Sequence, residues 1–370
     1  MKTIYFPNLD GLRAIAALTV IILHFNQFLP ILFAAPSFFE GNEMAELSVI
    51  LFFVLSGFLI TFLLFQEKEA TKDISIKTFY LKRVLRIWPP YFLVLAIAIL
   101  LFPLYKDIQG NPTENSGFVK SILLYMLILP NLNSVLGLML TPLRPLWSIG
   151  VEEQFYLIWP WGVKKVKNYL TGILVFIILY YAALGITGLL KSNSQIVSGL
   201  YTIIRISPVQ IMAIGALGAL AVKQKWQILK LVYSKPVQIV IWGIYLFSFY
   251  QPIQIPYFQH EFYAGLFLLL IINAATNPRS IISLEIKPLK YLGRISYGLY
   301  VYHLPMMVVL SLLLPKGAIP SPALLIVVLA ITILFASISY EFFEKRIIAL
   351  RNKLKPKVLL DEEFKEMPVR

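Results

Sequence analysis

Residues 9–25 read LDGLRAIAALTVIILHF, an apolar segment that carries two ionisable side chains, Arg13 and His24. A cation near the centre of a bilayer costs roughly 2.5 to 3.5 kcal/mol on insertion scales, so intramembrane ionisable residues indicate functional sites by default. The eleven-residue spacing from 13 to 24 returns to nearly the same helix face at about 100° per residue. The segment therefore predicts a membrane-spanning helix with a cation near one surface and, on the same face, an imidazole at greater depth.

The composition of the whole chain is that of a polytopic membrane protein. Of the 370 residues, 58% are hydrophobic and 14% are charged, and the mean hydropathy is +0.76. The excess of 33 Lys and Arg over 19 Asp and Glu gives a net charge of +14. This charge suits anionic lipid headgroups or a phosphorylated ligand, whereas nucleic acid is a poor partner for a chain with so little water-exposed sequence. The absence of cysteine excludes disulfides, thiolate catalysis and cysteine metal ligands.

Charge in the connecting loops sets the predicted topology. Loops rich in Lys and Arg stay cytoplasmic, and the loop charges agree only if one of the segments 118–138 and 146–162 does not cross the membrane. We choose 118–138 as this segment, because its apolar run is the weaker and breaks at Pro130. The sequence thus predicts an all-α polytopic membrane helix bundle of about ten transmembrane helices plus one re-entrant or interfacial element. Both termini are then cytoplasmic, with a membrane domain over 1–346 and a basic tail over 347–370. The apolar segments lie near 9–30, 46–65, 87–104, 118–138, 146–162, 169–190, 202–222, 236–250, 260–276, 293–314 and 322–343.

Each polar residue of the first segment has a structural interpretation beside the functional one. Asp10 precedes Arg13 by one helical turn, so Arg13 could be a positional anchor paired with this carboxylate. His24 could be a buried imidazole that is hydrogen-bonded to another helix.

A second cluster lies in LRPLWSIGVEEQFYLIWPW, residues 143–161, where Ser148 and Glu152 share one helix face. The topology places Glu152 at a depth similar to that of His24, where a carboxylate can orient and charge-stabilise an imidazole. A structural carboxylate, hydrogen-bonded to Trp or Ser donors, is the alternative.

Two further clusters complete the set of candidates. In FYLKRVLRIWPPYF, Arg83 and Arg86 lie one helical turn apart. Two guanidinium groups at this spacing could bind a polyphosphate ligand. They could equally be cytoplasmic anchors of the kind that the positive-inside rule describes. In YLGRISYGLYVYHLP, Ser296, Tyr300 and His303 share one face. We interpret His303 as a structural or pocket-lining residue rather than a second base, and His260 as an interfacial residue.

Taken in order, these motifs carry a family resemblance that runs nearly end to end. LDGLRAIAALTVIILHF, FFVLSGFLIT, the Arg83 and Arg86 pair, LWSIGVEEQFYLIWP and GRISYGLYVYHLP together resemble the integral-membrane acyltransferases that O-acylate bacterial surface glycans. The resemblance implies a stand-alone, multi-pass protein of the bacterial cytoplasmic membrane. It also implies an acyl donor, acetyl-CoA or another acyl-CoA, an extracytoplasmic glycan acceptor and no metal. In that family the residues that match Arg13 and His24 are essential.

The resemblance leads to a chemical hypothesis. His24 is the general base that removes the proton from a sugar hydroxyl, and Glu152 orients it. Arg13, Arg83 and Arg86 contact coenzyme A, and Asp10, Ser148, Tyr300 and His303 support the site. A route through an acyl-imidazole on His24 is a second possibility. A proton-coupled transporter or a flippase for a lipid-linked glycan is the alternative class, because it could use the same intramembrane His and Glu as a relay.

Overall fold

A computed structural model describes residues 5–38, 43–105 and 115–350 of the chain, and these residues form helices and short connections without any β-strand. The predicted all-α membrane bundle is confirmed. Residues 347–350 belong to the last helix, and residues 351–370 of the predicted tail lie outside the described part. The helices are α1 (Leu9–Phe33), α2 (Glu43–Thr71), α3 (Ile76–Tyr105), α4 (Asn115–Met126), α5 (Pro130–Val135), α6 (Leu146–Lys165), α7 (Tyr169–Leu190), α8 (Gln195–Ile206), α9 (Val209–Lys223), α10 (Ile228–Val232), α11 (Lys235–Tyr250), α12 (Gln259–Thr276), α13 (Lys287–Arg294), α14 (Ser296–Leu313), α15 (Ser321–Ile338) and α16 (Lys345–Leu350).

Seven helical segments of the described chain are long and apolar enough to cross a membrane: α1, α2, α3, α7, α8 with α9, α14, and α15 through α16. Three more helices, α6, α11 and α12, have 20, 16 and 18 residues and stand where the sequence predicts spans. The predicted re-entrant segment 118–138 consists instead of α4 and α5, with 12 and 6 residues. Each is shorter than the roughly 20 residues that a bilayer requires, so the predicted re-entrant or interfacial character of this segment agrees with the structure.

The structure differs from the predicted segments at two places. The predicted span 202–222 is interrupted between α8 and α9 at Ser207 and Pro208, because proline lacks the N–H that would continue the helix and restricts the residue before it. Helix α3 begins at Ile76 rather than near residue 87. Arg83 and Arg86 therefore lie within a helix and not at a loop boundary, which gives both side chains a fixed direction.

Glycines allow the central helices α2 and α9 to touch backbone to backbone. A Cβ added at Gly57 would overlap the carbonyl oxygen of Met212, and a Cβ added at Gly215 would overlap that of Val54. Small residues are the usual means of close helix approach in membranes, where van der Waals contact replaces the hydrophobic driving force. These two positions therefore set the spacing at the centre of the bundle.

We expect Gly215→Ala to lower the free energy of unfolding by roughly 1 to 3 kcal/mol, because the new methyl group forces α2 and α9 apart. Gly243→Ala in α11 is the matched control, since a Cβ at that position has no heavy atom within 4 Å apart from its chain neighbours and the backbone of its own helix. Thermal unfolding of the two purified variants in the same detergent checks the prediction. Equal midpoints for both variants would contradict it.

The start of α1 is held in place by a loop before α13. Asn8 has a left-handed backbone with φ 64, and its side-chain oxygen accepts a hydrogen bond from the Leu284 N–H at 2.6 Å. Lys290 Nζ and Tyr5 Oη both contact Glu285 Oε2, at 2.9 and 2.6 Å. Burial alone would raise the pKa of Glu285, but hydrogen bonds from Tyr5, Lys290 and the Asn8 N–H outweigh it and lower the pKa. The stability from this carboxylate is therefore present above its unfolded pKa and is lost as the pH falls through the folded pKa.

Candidate active site

Three arginines from two helices converge on one pocket, which we call the arginine pocket. Arg13 of α1 lies with Arg83 and Arg86 of α3 around a cavity of about 290 Å³. Arg13 Nη1 is 2.8 Å from Asp10 Oδ1, so the predicted helical pair is present. The structure thus brings the three predicted cofactor-binding residues to one place. Polar side chains that also line the pocket are Tyr5, Ser56, Ser148, Glu152, Tyr156, Ser296, Tyr297 and Tyr300.

Positive charge dominates the arginine pocket. The charges of Arg83 and Arg86 act on Arg13 across it, and the buried Nε of Arg83 has no hydrogen-bond partner. The Arg83 guanidinium lies over the rings of Phe79 and Tyr156, with its central carbon 5.7 Å from each centroid. Like charges held together at low dielectric repel each other, and a bound anion relieves that repulsion. The carboxylates of Asp10 and Glu152 also line the pocket, so its three guanidinium groups leave an excess of positive charge that favours an anionic ligand over a cationic one.

Glu152 lines the arginine pocket and does not orient His24. Its Oε2 accepts a hydrogen bond from the Tyr156 hydroxyl at 3.0 Å, and Tyr156 in turn contacts the Ser56 hydroxyl. The expectation that this carboxylate would orient the imidazole is wrong, because Glu152 is hydrogen-bonded to Tyr156 and both residues line the arginine pocket. His24 lines a different cavity.

That second cavity, which we call the histidine cavity, has a volume of about 1240 Å³. It lies toward the other end of α1, because His24 is eleven residues beyond Arg13, which corresponds to roughly 16 Å along the helix axis. Hydroxyl, amide and charged groups line it, as expected for a ligand rich in hydrogen bonds. They include Gln27, Glu46, Arg144, Tyr180, Tyr181, Tyr201, Arg205, Gln210, Gln254, Gln259, His260 and Glu261.

The hydrogen-bond partner of His24 is His303. His24 Nδ1 is 2.8 Å from His303 Nε2, and the two rings are nearly parallel at 13°. His303 is completely buried, and its Nδ1 lies 2.7 Å from the Tyr300 carbonyl oxygen. This oxygen can only accept, so His303 Nδ1 carries a proton, and burial favours the neutral ring with Nε2 as acceptor. His24 Nδ1 therefore donates, and the lone pair of His24 Nε2 is free to act as a base.

A pair of hydroxyls separates the two cavities. Ser148 Oγ and Tyr300 Oη are 2.7 Å apart, and they lie 3.2 and 3.0 Å from the Pro145 carbonyl oxygen. Ser148 and Tyr300 line the arginine pocket, Pro145 lines the histidine cavity, and Val49 lines both. Ser148 and Tyr300, two of the four predicted supporting residues, thus form the wall between the pockets, and Tyr300 joins that wall to His303 through its carbonyl group.

Sequence reasoning missed several cavity residues. His260, interpreted as interfacial, lines the histidine cavity, and its Nε2 lies 3.2 Å from Glu46 Oε1. Arg144 and Gln210 were not singled out at all. Arg144 did give a signal, because it lies two residues before LWSIGVEEQF, on the predicted outer side, where the positive-inside rule disfavours a cation. Gln210 gave none, since a glutamine beside a helix break has many structural uses.

Comparison with known proteins shows the family of this chain. Residues 6–341 match the family described as an acyltransferase domain. The chain belongs to this acyltransferase family. The acyltransferase is 27% identical over 375 residues to "Peptidoglycan O-acetyltransferase OatA" of Listeria monocytogenes, which covers 92% of this chain and 55% of the relative. It is 29% identical over 364 residues to "O-acetyltransferase OatA" of Staphylococcus aureus, with 92% and 57% covered.

The acyltransferase chain spans about half the length of these curated relatives. No solved structure matches it. Within residues 5–38, 43–105 and 115–350, no group of three or more His, Asp or Glu side chains could hold a metal ion.

Proposed function

We propose that this membrane acyltransferase moves an acyl group, with acetyl as the first candidate, from acyl-CoA to a hydroxyl of an extracytoplasmic glycan. One observation carries the proposal. An anion-binding pocket and a large polar cavity meet at the wall of Ser148 and Tyr300, and a free imidazole nitrogen of His24 lies on the cavity side. This arrangement suits transfer between two substrates that approach from opposite faces of a membrane.

Charge supports acyl-CoA as the donor. Coenzyme A carries phosphate groups, and guanidinium forks bind phosphate oxygens through charge-assisted hydrogen bonds. Arg13, Arg83 and Arg86 supply three such groups around one small pocket. The pantetheine arm would extend from there toward Ser148 and Tyr300, which brings the thioester to the wall between the cavities.

The imidazole supports the chemical step. An acceptor hydroxyl in the histidine cavity gives its proton to His24 Nε2 as its oxygen attacks the thioester carbonyl. The carbon–sulfur bond then breaks, and the coenzyme A thiolate leaves and takes up a proton. In the covalent variant, His24 Nε2 itself attacks the thioester, the carbon–sulfur bond breaks and the coenzyme A thiolate leaves. The acceptor hydroxyl then attacks the acyl-imidazole and takes the acyl group, and the released imidazole takes up the hydroxyl proton.

Loop charge supports the orientation. The arginine end of the bundle carries the basic connections, so we place it, with both termini, on the cytoplasmic side of the bacterial inner membrane. Acyl-CoA is then available to the arginine pocket, and the histidine cavity opens toward the cell envelope.

The test uses the protein in proteoliposomes with acetyl-CoA labelled on the acetyl group and a peptidoglycan-derived glycan. Label should pass to the glycan only when acetyl-CoA is supplied on the side of the arginine pocket. Transfer from another acetyl carrier but not from acetyl-CoA would overturn the donor assignment. Glycan translocation without any donor would favour the transporter class.

Replacing His303 tests how the imidazole is held. We expect His303→Leu to lower the transfer rate on the order of tenfold to a hundredfold, because His24 Nδ1 loses its acceptor and the reactive tautomer is no longer fixed. His303→Gln keeps a side-chain acceptor and should recover part of that loss. Initial rates at saturating donor provide the measurement. Identical rates for the two variants would show that His303 matters only for packing.

A further inference from the structure

Arg144 is a cation of the histidine cavity without a carboxylate partner. The ion pairs found among the described residues do not include it. Its side chain is exposed, and its guanidinium carbon lies 5.6 Å from the centroid of the Phe28 ring. This cation–π contact holds the group in place but does not neutralise its charge.

The acidic groups of the same cavity are already engaged. Glu46 pairs with His260, and the charge of Arg205 acts on both members of that pair. Glu261 Oε1 accepts hydrogen bonds from the Tyr181 hydroxyl and from Gln210 Nε2. Two arginines, Arg144 and Arg205, line the cavity, and neither belongs to an ion pair found among the described residues. Because the charge of Arg205 acts on the pair of Glu46 and His260, Arg144 is the arginine whose charge these acidic groups leave for a ligand.

Gln210 provides independent evidence that the cavity is built for a polar ligand. The residue is 3% exposed, lines the cavity, and its buried Oε1 has no hydrogen-bond partner. The bond from its Nε2 to Glu261, at 3.1 Å, fixes which way the amide faces. An unmade hydrogen bond at a buried acceptor is costly unless a ligand completes it. A sugar hydroxyl or an acetamido N–H supplies the required donor.

We propose that the histidine cavity binds an acidic glycan, whose carboxylate pairs with Arg144 while a hydroxyl or amide N–H donates to Gln210. This inference rests on the proposed function, since it describes the acceptor of the same reaction. Arg144 and His24 both line this cavity, and the Phe28 ring that Arg144 covers packs edge-on against His24. The carboxylate therefore lies beside the sugar hydroxyl that receives the acyl group.

The experiment measures binding in nanodiscs without an acyl donor. The probes are a tetrasaccharide of alternating glucuronic acid and N-acetylglucosamine and the same molecule with its carboxylates methyl-esterified. We expect the native protein to bind the acid about tenfold more tightly than the ester, and Arg144→Gln to abolish that preference. Gln210→Met should weaken binding of both probes by the same factor, because its contact does not depend on the carboxylate.

Lys316→Gln is the matched control, since Lys316 follows α14 on the same end of the bundle and does not line the cavity. It should keep the native preference. Equal binding of acid and ester by the native protein, binding of neither, or a preference that survives in Arg144→Gln would overturn the proposal. His24→Ala should retain the preference while losing transfer, so a failure of acyl transfer is distinguishable from a failure of acceptor recognition.

Discussion

His24→Ala is expected to lower acyl transfer on the order of 10²- to 10⁴-fold, the usual contribution of a positioned general base. The physical reason is that the Tyr300 carbonyl and His303 leave His24 Nε2 as the free acceptor of the histidine pair. Alanine leaves no group at that position to accept the hydroxyl proton. The covalent route predicts the same loss, because its nucleophile is the same nitrogen. Transfer of labelled acetyl to glycan in proteoliposomes measures the effect.

Ile22→Ala is the control for this variant. Ile22 is on the same helix, two residues away, and is 37% exposed on the outside of the bundle. It should insert, purify and transfer like the native protein. Transfer by His24→Ala within threefold of the native rate would exclude both chemical routes. Acetyl label that stays on the native protein without acceptor, and disappears in His24→Ala, would select the covalent one.

The second large effect is expected at the donor site. Arg83→Gln should raise the KM for acetyl-CoA by roughly 10- to 100-fold, since hydrogen bonds to charged groups contribute about 1.5 to 3 kcal/mol. The rate at saturating donor should change less, because Arg83 is remote from His24 and lines only the arginine pocket. The KM of Arg83→Lys should lie between those of the native protein and Arg83→Gln, because lysine retains the charge but lacks the paired N–H donors of the guanidinium. Initial rates over a range of acetyl-CoA concentrations separate the two parameters.

Lys82→Gln is the control, because it removes one positive charge from the same helix without changing a residue that lines the arginine pocket. Lys82 is the neighbour of Arg83 in α3 and does not line the arginine pocket. Acetyl-3′-dephospho-coenzyme A adds a chemical test. If Arg83 contacts the 3′-phosphate, the rise in KM from removing that phosphate and the rise from Arg83→Gln should not be additive. An unchanged KM in Arg83→Gln, or the same rise in Lys82→Gln, would refute phosphate binding by Arg83.

Some features of the site follow from local sequence because they depend on helical spacing alone. The pair of Asp10 and Arg13 is one turn apart and is formed. The eleven-residue interval from Arg13 to His24 places them in two different cavities. The long apolar runs predict the helices for the same reason, since backbone groups in a membrane must be satisfied within their own segment.

Other features depend on how helices rotate against each other, and the sequence does not determine that rotation. The predicted topology placed Glu152 at the depth of His24, but the α6 face that carries Glu152 and Tyr156 lines the arginine pocket. His303, predicted to be a structural or pocket-lining residue, contacts His24 because α14 packs against α1 with that face inward.

The sequence by itself determined that this chain is a bundle of membrane helices with ionisable residues inside its apolar segments, because hydropathy and helical period are properties of one segment at a time. Only the tertiary structure decided which of those residues meet. The histidine pair, the wall of Ser148 and Tyr300 and the unpaired charge of Arg144 all arise from contacts between segments far apart in the chain. Such contacts are set by close packing of side chains and small residues across several helices at once, which no single stretch of sequence encodes.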